Sequence, residues 1–260
     1  MPELNWFKGI LIFLSFFITL FLAAAIGSIF FIPSPSEIWT NLWSEEMLFS
    51  LKLSLWTSVL STILVMAFSV PIGYSLSRFQ FWGKGMVKTI IDLPIAFPEL
   101  VLGLCLLSIF GNTALADFLQ HFGIKVVFTK QGIVVGQFFT ALPYAIRIIK
   151  STFDYINPRL EFVSRSLGYS LFETFLYVSI PLAKSGLLAA MIIAFARSIG
   201  TFGTVLILTG GSYMKTEILP ITLYLNVSYG NISMAMTSGI VLVVVSFVAI
   251  MIFEKSDAQI

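Results

Sequence analysis

The chain has 260 residues, of which 58% are hydrophobic and 11% are charged, and its formal net charge is +2. Because a soluble domain carries about 25% charged residues, this composition excludes an ordinary soluble protein. It predicts a membrane protein whose surplus apolar surface faces lipid. The basic residues are too dispersed to form the basic stripe that a nucleic-acid partner requires, so no such partner is expected.

Six segments predict membrane-spanning helices, each of which needs about 20 mostly apolar residues. In chain order they cover residues 7–32, 50–76, 87–110, 131–149, 185–208 and 234–253. The first could instead be a signal peptide, because Lys8 precedes an apolar run that reaches three alanines at 23–25. That run continues to Ile32, beyond the about 7–15 residues of a signal-peptide core, so we expect an uncleaved anchor.

The loop after the first span is rich in glutamate and proline and separates that span from the other five. We therefore divide the chain into an N-terminal helix with its outer loop (1–48), a main transmembrane domain (49–253) and a cytoplasmic tail (254–260). Six spans place both termini on the same side of the membrane.

Lysine and arginine residues of the short loops concentrate on one face of the predicted bundle. That face holds Lys8, Arg78, Lys84, Lys88, Arg147, Lys150, Arg159, Arg165, Lys184 and Lys255. The opposite face holds only Lys52, Lys125, Lys130 and Lys215. Since basic residues of short loops remain in the cytoplasm, both termini are expected to be cytoplasmic.

The loop between the fourth and fifth spans, residues 157–181, predicts two helices joined by a glycine turn. Asn157 can cap a helix whose first residue is proline, and Gly168 suits the left-handed residue that ends a helix. Ser170 and Glu173 then have the spacing of a capping box at a new helix start. The apolar residues of this loop would be buried if the first helix lay in the groove of a partner protein.

The sequence LEFVSRSLG at 160–168, followed by VSIP at 178–181, resembles the cytoplasmic coupling signature of type I ABC importer permeases. The usual Glu-Ala-Ala triplet of that signature falls on residues 162–164, with Glu161 one place early. The resemblance implies that the following residues contact an ATPase: Leu160, Glu161, Phe162, Val163, Ser164, Arg165, Leu167, Gly168 and Pro181.

Within that superfamily, AFARSIGTFG at 194–203 and KTEILP at 215–220 look most like molybdate and sulfate permeases. Where that family typically has glutamate after Gly200, this chain has Thr201. The resemblance implies an all-α permease fold and import of molybdate. Tungstate, sulfate or another solute of the same superfamily is the alternative.

By the same resemblance, the partners are cytoplasmic ABC ATPase subunits, an extracytoplasmic oxyanion-binding protein and a second permease chain, expected to be identical. ATP would be used by the partner ATPase, and no cofactor is expected on this chain, which has no G-x-x-x-x-G-K-[ST] phosphate loop. An ion channel or an intramembrane hydrolase is the alternative from a different class of protein. No serine has a recognisable nucleophile context, however, and no catalytic residue is assigned.

Charged and small residues inside the spans are the candidates for a pathway or gate. A charge in the membrane needs a partner or a water-filled cavity, and Glu99 and Arg197 are predicted at similar depths. We therefore expect them to pair between the third and fifth spans. Small residues of the fifth span favour close helix packing or could line a gate: Gly200, Thr201, Gly203 and Thr204. The only histidine, His121, is expected in an outer loop, which excludes a His-based metal site, and the only cysteine, Cys105, is expected to be packed.

Overall fold

The computed structural model describes residues 3–257. The helices are α1 (Glu3–Ser28), α2 (Pro35–Leu42), α3 (Glu45–Arg78), α4 (Lys84–Ala96), α5 (Glu99–Phe110), α6 (Ala114–His121), α7 (Lys130–Tyr155), α8 (Pro158–Ser166), α9 (Leu171–Thr174), α10 (Ile180–Leu182), α11 (Lys184–Gly200), α12 (Gly203–Thr209), α13 (Leu219–Ser228) and α14 (Ile232–Asp257). The described residues form no strand, so the prediction of an all-α fold is confirmed.

Four helices are long and apolar enough to cross a membrane, and the number rises to six if each of two bent helix pairs counts as one span. One bent pair joins α4 to α5 at an angle of 118°, where Phe97 and Pro98 interrupt the helix. The other joins the segment Leu171–Leu182 to α11 at 76°. The predicted fifth span, 185–208, is not continuous, because α11 ends at Gly200 and α12 begins at Gly203.

Helices α3, α7 and α11 form the centre of the bundle and pack through small and polar side chains. A Cβ atom on Gly73 would lie 2.7 Å from Ile149, and one on Gly186 would lie 2.1 Å from Thr152 Oγ1. Larger residues at these two glycines would therefore separate the helices. Between α11 and α3, Ser198 donates a hydrogen bond to Ser61 at 3.2 Å.

Helix α1 differs from the rest of the bundle, because no residue from Trp6 to Phe31 is buried within the chain. Helix α2, in contrast, is attached to the last span: Asn41 donates hydrogen bonds to Ser233 and Thr237, each at 3.1 Å. The loop after the first predicted span is thus largely helical and contacts the last span. The division of the chain at residues 48 and 253 stays a prediction, and residues 258–260 of the tail lie outside the described range.

Helix α13 was not predicted, because its ten residues are too few for a span. It packs against the first turns of α3, where Ser54 accepts a hydrogen bond from Leu219 N–H at 2.8 Å and Asn226 donates one to Glu46 at 2.6 Å. The prediction for Cys105 was wrong: its side chain is exposed on the surface of α5, where neighbouring residues are apolar.

Candidate functional site

The first helix of the predicted coupling segment, α8, begins and ends where the sequence indicates. Asn157 is the N-cap, and its side-chain oxygen accepts a hydrogen bond from Arg159 N–H at 3.0 Å. Pro158 is the first helical residue. At the other end Gly168 has φ +99°, a conformation that costs other residues about 1–2 kcal/mol. The chain can therefore reverse direction immediately after α8.

The second helix starts with the predicted capping box. Ser170 N–H donates to the Glu173 carboxylate at 2.7 Å, and Glu173 N–H donates to Ser170 Oγ at 3.2 Å. The helix does not run uniformly to Pro181, because Phe175–Ser179 forms a π-helical turn before α10. Pro181 lies exposed at the start of α10.

Glu161 points into the protein and not toward the surface of α8. Its carboxylate forms an ion pair with Arg78 Nε at 2.9 Å, and the two side chains are 11% and 9% exposed. The same carboxylate accepts hydrogen bonds from Ser179 at 2.9 Å and Tyr74 at 3.3 Å. Arg78 also donates to the Ile156 carbonyl at 2.9 Å, at the end of α7. This network joins α8 to α3, to α7 and to the π-helical turn.

Sequence reasoning missed Arg78 and Tyr74 as partners of the coupling helix. Two features of the sequence could have indicated the contact: Arg78 lies just after the end of the predicted second span, and Glu161 is displaced by one place from the usual glutamate of the coupling signature. Ser164 is also turned inward, with its hydroxyl 3.1 Å from Thr174 Oγ1. Of the predicted coupling residues, Glu161 and Ser164 therefore hold the helix in position.

The outward face of the coupling segment is apolar and aromatic. Its exposed side chains include Leu160 (48%), Phe162 (73%), Val163 (56%), Leu167 (75%), Phe172 (70%) and Tyr177 (63%). Arg165 is also exposed. A helix hairpin that exposes this many large apolar groups is typical of a protein interaction site.

The predicted ion pair between Glu99 and Arg197 was wrong. Glu99 is the first residue of α5, and its carboxylate accepts hydrogen bonds from the N–H groups of Phe202 and Gly203 at 3.1 and 3.0 Å. Thr204 also donates its hydroxyl to the Glu99 carbonyl at 3.0 Å. Glu99 therefore satisfies free backbone donors at the start of α12, and it joins the break after α4 to the break after α11.

The small residues around this junction are mostly buried. A Cβ on Gly203 would lie 3.1 Å from Glu99 Cβ, and Thr204 accepts a hydrogen bond from Thr140 of α7 at 3.2 Å. Thr201 is buried and donates to the Arg197 carbonyl at 2.6 Å. Gly200 alone of the set is exposed. These contacts are packing contacts, and a gating role for the four residues stays a prediction.

Arg197, near the C-terminal end of α11, contacts helix α7 and forms no ion pair with Glu99. Its guanidinium carbon is 4.2 Å from the centre of the Tyr144 ring, in cation–π contact. The side chain is exposed, and the guanidinium takes part in no ion pair within the described part of the chain. Arg147, one turn after Tyr144 on α7, is exposed as well. Among the residues that the structure describes, these two arginines of the spanning helices thus form no ion pair.

Glu217, in the loop between α12 and α13, is a buried acid that the sequence did not single out. It accepts a hydrogen bond from Met214 N–H at 3.2 Å, but its Oε1 atom has no partner within the described residues. Burial, and next the nearby Glu46 carboxylate, raise the pKa of Glu217 above 4.5. No group of three or more potential metal-binding side chains occurs among the described residues.

A protein-family model described as "binding-protein-dependent transport system inner membrane component" matches residues 69–257. A probable molybdenum ABC transporter permease protein of Haloferax volcanii is 31% identical over 252 residues, covering 97% of this chain and 90% of that protein. The sulfate transport system permease protein CysT of Salmonella typhimurium is 27% identical over 225 residues, covering 86% of this chain and 80% of that protein.

The fold also matches a crystal structure of a bacterial alginate ABC transporter in complex with alginate pentasaccharide-bound periplasmic protein. The TM-score is 0.76 at 14% identity, and the match covers 97% of this chain and 93% of that chain. These findings confirm an importer permease in place of an ion channel or an intramembrane hydrolase. The chain belongs to the inner membrane component family of binding-protein-dependent transport systems, as a non-catalytic permease subunit of an ABC importer whose ATPase is a separate subunit.

Proposed function

We propose that the chain carries a tetrahedral oxyanion, molybdate first and tungstate or sulfate next, across the membrane. The observation that carries the proposal is Arg197, an exposed arginine on a spanning helix with no acidic partner in the described chain. An arginine at the centre of a bilayer costs at least about 2.5–3.5 kcal/mol. Its charge is compatible with a water-filled pathway through which an anion passes.

Identity to the two relatives, and not the motif, favours molybdate ahead of sulfate. The fifth-span motif at 194–203 resembles both kinds of permease, and the molybdenum relative is 31% identical whereas the sulfate relative is 27% identical. Specificity would lie largely in the binding protein. The permease then needs to attract the anion and release it again, which weak and transient binding achieves.

ATPase subunits would dock on the outward face of α8 and α9. Phe162 occupies the place where the family usually has its glutamate, while Glu161 is turned inward to Arg78. The contact with the ATPase would therefore be apolar and aromatic, without an acidic side chain from the triplet. Closure of the ATPases would push on α8, and the Arg78–Glu161 pair would pass the displacement to α3.

The membrane orientation follows from the proposed docking. If α8 faces the cytoplasm, so do the C-terminal ends of α3 and α7, which meet at Arg78. Helix α14 starts beside α2, at the opposite end of α3, so its C-terminus would be cytoplasmic. With α1 as a further span, the N-terminus would be cytoplasmic too. The second permease chain would be an identical copy, and the binding protein would deliver the anion at the outer end.

The test is reconstitution of the permease with its ATPase and binding protein in lipid vesicles. ATP hydrolysis and uptake are compared with molybdate, tungstate, sulfate, phosphate or methionine loaded on the binding protein. Stimulation by molybdate supports the proposal. Stimulation by methionine or phosphate alone contradicts the substrate assignment.

A variant tests the role of Arg197 in the same assay. Arg197→Gln should lower molybdate uptake at least about tenfold, because a hydrogen bond to a charged group contributes about 1.5–3 kcal/mol. Lys88→Gln is the control, since it removes an exposed positive charge from α4. Equal uptake by the Arg197→Gln and control variants would exclude a direct role for the guanidinium.

A further inference from the structure

A cavity of about 420 Å³ opens at the ends of α3 and α7 that lie farthest from α8. Four residues of the first turns of α3 line it, with the first residue of α7: Phe49, Lys52, Leu53, Trp56 and Lys130. Under the proposed orientation this is the outer end, where a binding protein would release its solute. The volume lies within the about 300–1,000 Å³ range of small-molecule sites.

Two lysines and no acid line this cavity. Both Lys52 and Lys130 are exposed, and neither takes part in an ion pair among the residues that the structure describes. Two positively charged side chains that line one cavity repel each other, and a bound anion would relieve the repulsion. Lys130 is also the first residue of α7, where the helix dipole further favours negative charge.

One wall of the cavity contacts Lys130. Lys130 Nζ lies 5.3 Å from the centre of the Phe49 ring, in cation–π contact. Leu53 belongs to a buried cluster with Ile133 and Ile218, against which Phe202 also packs. Since Phe202 N–H is bonded to Glu99, the floor of the cavity is continuous with the junction between α5 and α12.

We propose that this cavity is a receiving site for a tetrahedral oxo-anion, bound between Lys52 and Lys130 before it enters the pathway. The proposal rests on the proposed function for its role in import. A dianion much smaller than the cavity would enter with part of its hydration shell, so binding is weak and release is fast. The headgroup phosphate of an anionic lipid has the same chemistry, and the experiment separates the two sources.

The first measurement is binding to the purified permease in discs of zwitterionic lipid. Trp56 lies in the cavity, so sulfate or molybdate should change its fluorescence in a saturable manner. The change should disappear in Trp56→Phe and should weaken at least about tenfold for each of Lys52→Gln and Lys130→Gln. Lys125→Gln, an exposed lysine outside the cavity lining, is the control. An identical titration in wild type and in the double lysine variant overturns the proposal.

The second measurement is uptake by the complete complex. In zwitterionic vesicles, combining Lys52→Gln with Lys130→Gln should raise the KM of anion uptake about tenfold or more, while the rate of uptake at saturation stays within about twofold. If lipid phosphate is the ligand, adding anionic lipid changes the wild-type rate and leaves the double variant unaffected. An unchanged KM together with no lipid effect rejects the site. A complex that transports no oxyanion refutes the proposed function, and the fluorescence titration still decides whether the cavity binds the anion.

Discussion

Replacing Glu161 with glutamine keeps the size of the side chain and removes the charge that neutralises Arg78. Both side chains are nearly buried, at 11% and 9% exposure, and removing one partner of a buried ion pair costs about 3–5 kcal/mol. Glutamine retains an oxygen that can accept from Ser179 or Tyr74, so we expect the lower value, about 3 kcal/mol. That corresponds to about a 100-fold decrease in the equilibrium constant that favours α8 packed against α3 over α8 detached from it.

Two assays follow the change in Glu161→Gln. Hydrogen exchange should accelerate in α8, and substrate-loaded binding protein should no longer stimulate ATP hydrolysis. Glu173→Gln is the matched control, because this carboxylate lies on the surface of the same segment. The double variant Arg78→Met with Glu161→Leu should recover much of the lost stability, since it leaves no unpaired charge. Full stimulation of ATP hydrolysis in Glu161→Gln would refute the reasoning.

Three further predictions concern the turn, the junction and the buried acid. Gly168→Ala should insert normally into the membrane but should lose the coupling of ATP hydrolysis to transport, because the φ of +99° at this position strains alanine. The measurement is the stimulation of ATP hydrolysis. The control is Gly83→Ala, since Gly83 has φ +78° in another loop. Glu99→Leu should lower the melting temperature, because it leaves two backbone donors unpaired at a cost of about 1–3 kcal/mol each. Reversing the charges of Glu99 and Arg197 together should not restore the melting temperature. A restored melting temperature would support the ion pair between the two residues. Because folding raises the pKa of Glu217 above 4.5, the folded chain binds the extra proton, and the free energy of unfolding should fall as pH rises above 4.5. The stability of Glu217→Gln, measured by thermal unfolding, should not show this decrease with pH. Identical pH profiles for the variant and the wild type would contradict the prediction.

Local signals in the sequence predicted the coupling segment well. The N-cap, the first-turn proline, the glycine turn and the capping box each act over three or four residues, so they specify α8 and α9 without reference to the rest of the fold. The direction of Glu161 was not predictable in this way. It depends on Arg78, which is 83 residues distant in sequence and meets it only through tertiary packing.

The error over Glu99 has a physical cause. The prediction of its depth assumed that the third span is one uninterrupted helix, whereas the chain bends by 118° between α4 and α5. Pro94 and Pro98 indicated a disruption but not its angle, since the new direction is fixed by contacts with α12. Arg197, in contrast, lies within the unbroken helix α11, so the wrong assumption concerns the Glu99 side of the predicted pair.

Helix α3 is unbroken from Glu45 to Arg78. Lys52 lies in the proposed receiving cavity, and Arg78 lies against the coupling helix, 26 residues later. At 1.5 Å per residue, the two side chains are about 39 Å apart along a single rod. Pro71 removes one backbone donor from this helix, but the helix continues on both sides of it, so a tilt imposed at one end would displace the other end as well. The proposed anion cavity and the surface on which the ATPase would dock therefore lie at the two ends of one helix.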